Sequence, residues 1–247
     1  MKSSKQKRPV AIVTGGARRL GKKIVMALGE AGFDIVVNYN SSAKEARQVV
    51  RDLGKIGAKA ISMKADISRR PEVERMMSKA MTTFKRVDLL VNSSAIFLDS
   101  PLEKTSDKNW NTTIDINLKG TFYCSQAVSK IMLKQKCGKI INIASLGGVQ
   151  AWAGHLPYSV SKAGVIMLTK VLAKSLSPDI MVNAIAPGAL EIFGEEVSAP
   201  RKMPKKRIPL QRHGKPSDIT DMVVYLATKA NYITGQVIII DGGRSIQ

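Results

Sequence analysis

The chain has 247 residues, 44% hydrophobic and 23% charged, with 39 Lys and Arg against 19 Asp and Glu for a formal net charge of +20. These figures suit an ordinary globular chain with one sizeable core and exclude the disordered, collagen-like and low-complexity classes. No stretch approaches the ~20 apolar residues of a membrane helix, and Cys124 and Cys137 fit neither a metal motif nor a disulfide framework, which implies reduced thiols in a cytoplasmic protein.

The basic N-terminus, MKSSKQKR, precedes an apolar run too short for a signal-peptide core. Positive charge is spread along the chain, with short clusters at 2–8 and 201–207. It suits an anionic substrate or an acidic protein partner, although a lysine-rich solvated surface gives the same count. Interleaved aromatics, helix-turn-helix and zinc patterns are lacking, so specific nucleic-acid recognition is not expected.

Residues 9–14, PVAIVT, read as a buried strand, followed by the turn Gly15-Gly16-Ala17-Arg18-Arg19-Leu20-Gly21 and an amphipathic helix to about Gly32. A strand, a glycine-rich turn and a helix N-terminus make an anion site for a dinucleotide pyrophosphate, built from backbone N–H groups. The second strand is Asp34–Tyr39. An NAD site places a carboxylate near the end of this strand for the ribose 2′-hydroxyl. Here Asn40, Ser41 and Ser42 follow instead, and Arg18 stands in the turn. That set suits a 2′-phosphate and hence NADP(H).

Further strands are expected at KAISMKAD, at Asp88–Asn92, at KIINIA, at Ile180–Ala186 and at Gln236–Asp241. Helices are expected from Pro71 to about Phe84, on either side of Asn117, around Tyr158 and over Ser217–Thr228. This alternation predicts a single α/β domain over residues 1–247: a doubly wound, Rossmann-like parallel sheet of about seven strands with helices on both faces. The stretch Leu190–Lys206 lacks periodicity and reads as a lid beyond a strand's carboxyl end.

Ser145, Tyr158 and Lys162 carry the chemistry. Tyr158 and Lys162, at i and i+4, share a helix face. A phenol titrates near pH 10, and a nearby ammonium is expected to lower that value toward a useful range. A serine hydroxyl close by can orient a carbonyl oxygen. The trio is a proton-transfer site for carbonyl and alcohol chemistry.

Taken with their order along the chain, these motifs resemble the short-chain dehydrogenase/reductase family over nearly all 247 residues. Thr14-Gly15-x-x-x-Arg19-x-Gly21 resembles its cofactor loop, with Arg19 in place of the middle glycine. Asp66, with Ile67 beside it, resembles the adenine contact. Asn92-Ser93-Ser94-Ala95 stands where the family has N-N-A-G. Asn117 resembles the asparagine that holds a water in the proton relay, and Pro187-Gly188, with Leu190 following, resembles the turn against the nicotinamide. Ile192 stands where many members have a threonine near the nicotinamide amide.

The resemblance implies transfer of hydride from NADPH to a carbonyl, with Tyr158 protonating the oxygen and Lys162 holding the nicotinamide ribose. It is closest to 3-oxoacyl-(acyl carrier protein) reductases. An acidic acyl carrier protein suits the positive charge, and of that group's docking positions Lys136 fits one while Pro178 occupies the other. Arg19 and the NYNSS stretch also resemble pteridine and dihydrofolate reductases, although Ser145 stands where those tend to carry an aspartate. A non-catalytic nucleotide- or RNA-associated protein on the same fold is the other alternative. The family also implies a homotetramer assembled partly on the Tyr158 helix, through Val165, Leu168, Leu172 and Leu176.

Overall fold

The computed structural model describes residues 8–191 and 203–246. Ile192, most of the expected lid, most of the first basic cluster and positions 201 and 202 of the second lie outside the described residues.

Every strand is parallel to its neighbours, and the sheet runs in the order β3-β2-β1-β4-β5-β6-β7. The strands are β1 (Val10–Thr14), β2 (Asp34–Tyr39), β3 (Ala60–Lys64), β4 (Leu89–Asn92), β5 (Gly138–Ile143), β6 (Ile180–Pro187) and β7 (Val237–Ile240). Successive side chains of a strand face opposite sides of a sheet, and here both sides are covered. Ala11 and Val13 enter one core with helices α1 (Arg19–Glu30), α2 (Ala43–Lys55) and α7 (Pro216–Thr228). Ile12 enters the other, against α3 (Arg70–Phe84), α5 (Gly120–Gln135) and α6 (Leu156–Leu176). This double burial is why the strands read as unbroken apolar runs.

Helix α2 is not among the helices expected from the sequence, although its apolar positions recur at helical spacing along one face. Its exposed face is polar and charged, and only Ala46, Val49 and Leu53 turn fully inward. Around Asn117, helix α4 (Asp107–Ile114) passes into α5 through a wide π-turn over Asp115–Lys119.

The order reverses between β1 and β4, where the chain leaves one half of the sheet for the other. Such a switch point opens a crevice at the carboxyl ends of the strands. Thr14 and Asn92 pair across it, and the Thr14 hydroxyl accepts from the backbone N–H groups of Ser93 and Ser94 at 2.9 and 3.1 Å.

The face of α6 expected to assemble subunits is partly spent within the chain. Val165 and Leu176 are buried in its own core, and Leu172 packs against that core. The exposed apolar residues of this helix are Val160, Met167 and Val171. A periodicity shows that two faces differ, and it does not say which one the sheet takes.

Among the described residues no helix is long and apolar enough to cross a membrane. Cys124 is buried, which pushes its thiol up to about 12 and leaves it inert, while Cys137 is exposed.

Candidate active site

A continuous cavity of about 1210 Å³ lies over the switch point. Its two ends are built differently.

At one end the β1–α1 turn brings backbone to the surface. Gly15 has φ of +63°, and a Cβ there would meet the Ser94 Oγ at 2.9 Å. A Cβ on Gly21 would lie 2.1 Å from the Gly15 carbonyl oxygen, so no other residue fits. Arg19, at φ +49°, holds the left-handed conformation that a glycine adopts freely. Arg18, Arg19, Leu20, Asn40, Ser41, Ser42, Asp66, Ile67 and Ser94 all line this end. Among the described residues no carboxylate lines the corner formed by Arg18 and residues 38–42. One Asp66 oxygen is taken by the backbone N–H and hydroxyl of Ser68. The cradle with no room for a Cβ fits a dinucleotide pyrophosphate, and the corner without a carboxylate fits a 2′-phosphate.

Asn38 is a residue of this end that motif reading passes over. Its buried Oδ1 accepts from Gly15 N–H at 3.3 Å, and its Nδ2 donates to the carbonyls of Ala65 and Met63 at 3.0 and 3.3 Å. It ties the glycine turn to the segment that carries Asp66. The preceding apolar run hides this polar hub.

At the other end stand Ser145, Tyr158 and Lys162. Ser145 opens a short turn after β5, and its Oγ accepts from Gly147 N–H at 3.0 Å. A Cβ on Gly148 would lie 2.6 Å from the Lys162 carbonyl carbon and 2.8 Å from Ala163 N. The bare backbone at Gly148 thus lets α6 press against the turn and sets Ser145 beside Tyr158. Burial pushes the Tyr158 phenol above its ordinary value, and the hydrogen bond from Ser145 pulls it back only in part. Lys162 Nζ donates to the Ile143 carbonyl at 2.7 Å and lies 5.8 Å from the centre of the Tyr158 ring. Burial lowers its own pKa to about 8. The expectation that Lys162 depresses the tyrosine is therefore not met in the protein itself. Desolvation sets the direction, and Tyr158 is held as a neutral phenol, the form that gives up a proton.

Asn92 and Asn117 do not line the cavity. Asn92 lies behind it, donating to Asn142 Oδ1 at 2.9 Å and Ser125 Oγ at 3.1 Å. Asn142 continues the ladder to Thr169 on α6 at 2.9 Å. Asn117 is fully buried. Its side chain exchanges two hydrogen bonds with the Ile96 backbone, at 2.9 and 3.0 Å, and donates a third to Ser161 at 3.0 Å. Both amide hydrogens are thereby engaged, so in this structure the side chain clamps the strand-end loop to α6. Pro187, Gly188 and Leu190 line the cavity between its two ends.

Three aromatic groups wall the catalytic end. The Phe97 ring stands edge-on to Tyr158 at 4.6 Å and lies 4.1 Å from His155. Trp152 lies nearly parallel to Tyr158, 6.3 Å away. His155 Nδ1 is 2.8 Å from the Leu98 carbonyl, so that nitrogen carries the proton. Beyond them Glu191 is bridged by Lys205 and His213 at 3.4 and 3.3 Å. The wall comes from the three connections that follow β4, β5 and β6, and no local spacing marks it in the sequence.

The profile of a family described as enoyl-(acyl carrier protein) reductase matches residues 15–245. A 3-oxoacyl-[acyl-carrier-protein] reductase of Synechocystis sp. is 41% identical over 95% of this chain and 96% of its own length. The same-named protein of Staphylococcus epidermidis is 38% identical over 94% and 97%. Among solved structures, acetoin dehydrogenase from Enterobacter cloacae superposes with a TM-score of 0.88 at 32% identity, covering 97% of each chain. Acetoin dehydrogenase from Salmonella typhimurium gives 0.88 at 30%, covering 97% of this chain and 96% of its own.

Proposed function

The chain belongs to the short-chain dehydrogenase/reductase family, oxidoreductases of alcohol and carbonyl groups, and from that premise we propose that it is an NADPH-dependent reductase of 3-oxoacyl thioesters. One observation carries the proposal: Ser145, Tyr158 and Lys162 share a cavity with a pyrophosphate cradle whose ribose corner holds Arg18, Asn40, Ser41 and Ser42 and no carboxylate.

When bound, NADPH supplies the hydride. The protein's own part is positioning and proton transfer. Ser145, its oxygen already accepting from Gly147, turns its hydrogen toward the carbonyl oxygen. Tyr158, kept neutral by burial, donates its proton to the alkoxide as it forms. Lys162, charged below about pH 8, supplies the positive field that makes the departing phenolate tolerable and would hold the nicotinamide ribose. A water held near the Asn117 turn would restore the proton.

The +20 charge suits encounter with an acidic acyl carrier protein in the cytoplasm, and we propose a homotetramer in which Val160, Met167 and Val171 are covered by a second copy. The aromatic wall favours a second reading. Phe97 and Trp152 offer flat faces beside Tyr158, which suits a planar ring such as a dihydropterin.

The assay is NADPH oxidation with a 3-oxoacyl thioester, free and carrier-bound, against a dihydropterin and unrelated ketones. The thioester should be turned over fastest, with a carrier preference that shrinks as salt screens the exposed charge. Faster pterin turnover would reverse the order of the two readings, and equal carrier preference at all salt concentrations would remove the role of the net charge.

A further inference from the structure

At the far side of the aromatic wall the C-terminal segment brings a cation into the cavity. Arg244 lines it, with the guanidinium 5.2 Å above the Trp152 ring. Trp152 in turn lies parallel to Tyr158. Among the described residues no carboxylate is within ion-pair distance of Arg244. Asp241, its nearest acid in sequence, spends both oxygens on the N–H groups of Gly243 and Ser245. Glu191, the acid at this end of the cavity, already has Lys205 and His213. Burial and the neighbouring Arg207 make the charge on Arg244 less comfortable, with Asp241 only partly offsetting them. A half-buried guanidinium, set over an indole and with no ion-pair partner among the described residues, is a prepared oxyanion site.

We propose that Arg244 is a specificity-determining residue that holds an oxyanion of the carbonyl substrate, a carboxylate or a phosphate, above Trp152 and one ring away from Tyr158. The proposal rests on the carbonyl-reductase reading and deepens it. The substrate is an anionic carbonyl compound, and its charged group fixes which carbonyl carbon sits at Ser145 and Tyr158. The reaction balances as before: hydride from NADPH to the carbonyl carbon, a proton from Tyr158 to its oxygen, and the oxyanion unchanged on Arg244.

Three substrates separate the sources of the oxyanion. Acetoacetate carries a carboxylate, hydroxyacetone phosphate carries a phosphate close to its ketone, and the N-acetylcysteamine thioester of acetoacetate carries neither. Arg244→Gln should lower kcat/KM about ten- to a hundred-fold, mainly through KM, for whichever of the first two uses the site, and less than about threefold for the third. Arg244→Lys should recover part of the loss. A loss confined to acetoacetate assigns the site to a carboxylate, and one confined to hydroxyacetone phosphate assigns it to a phosphate. Equal losses on all three substrates, or none on any, overturn the proposal.

Binding is read separately, in a Trp110→Phe background that leaves Trp152 as the sole indole. Acetoacetate or inorganic phosphate should quench its fluorescence with Arg244 present and fail to do so in Arg244→Gln. Identical titrations in both, or no quenching by either anion, also overturn the proposal. Should wild type oxidise NADPH with none of the three substrates, the carbonyl-reductase reading falls, and the quenching alone decides whether the anion site stands.

Discussion

The two ends of the cavity are made by opposite means. The cofactor end is organised around a backbone turn, with Arg18, Asn40, Ser41 and Ser42 at its corner, and its glycines are required because no Cβ fits at Gly21. The catalytic end is all side chain, gathered from Phe97, Ser145, Trp152, His155, Tyr158, Lys162 and Arg244 on distant loops and one helix. A backbone site tolerates side-chain variation and binds the same group in many proteins. A side-chain site can change its substrate one residue at a time, which is where relatives named for thioesters and for acetoin can diverge.

Tyr158→Phe should break this division most sharply. It removes a proton donor and nothing from the cradle, so kcat should fall about 10²–10⁴-fold while the NADPH dissociation constant stays within about twofold. Stopped-flow turnover beside a fluorescence titration of NADPH checks both. A fall in both would mean that the two ends are not independent.

Gly148→Ala tests whether backbone contact also sets the catalytic end. The added methyl would meet backbone of α6 at 2.6–2.8 Å, so the helix must move away from Ser145. A displacement of even about 1 Å can cost on the order of a hundredfold in rate. We expect a ten- to hundredfold lower kcat in a protein that still binds NADPH, and an unchanged kcat would show that the turn yields instead. At the cradle, Arg18→Ala should weaken NADPH about ten- to a hundredfold and NADH far less, since a charge-assisted bond to the 2′-phosphate is lost. Equal weakening, measured by titration with each cofactor, would move Arg18 to the pyrophosphate.

The same contrast explains what the sequence makes legible. The sheet is legible because strands buried on both faces are continuous apolar runs, and the cradle because its glycines have no substitute. Helix α2 is legible too, since Ala46, Val49 and Leu53 recur on one face of an otherwise charged helix. Asn38 looks like any strand residue until its three backbone partners are seen. The i, i+4 spacing places Lys162 near Tyr158 correctly, yet a spacing carries no information about burial, and burial decides both titrations.

Lys162 gives the smallest expected effect on stability and the finest test. Its folded-state pKa of about 8 lies below the 10.5 of a free lysine, so below pH 8 the folded protein bears the cost of a buried charge. That cost disappears as pH rises from 8 to 10.5, where the folded form has lost the proton and the unfolded form still keeps it, so wild-type stability climbs across this window. Lys162→Met should therefore stabilise the protein by about 1–2 kcal/mol at pH 6.5, less than the full shift implies because the Ile143 carbonyl loses its donor. The gain should shrink toward pH 10. Turnover should run the other way: wild-type kcat/KM for reduction declines above about pH 8 as the ammonium is lost, while the methionine variant is nearly inactive throughout. Denaturant midpoints at pH 6.5 and 9.5, read beside the pH–rate profile, separate the two effects. A destabilised methionine variant with a flat wild-type profile would show that Lys162 is there to pack, and that its charge plays no part in the catalytic end.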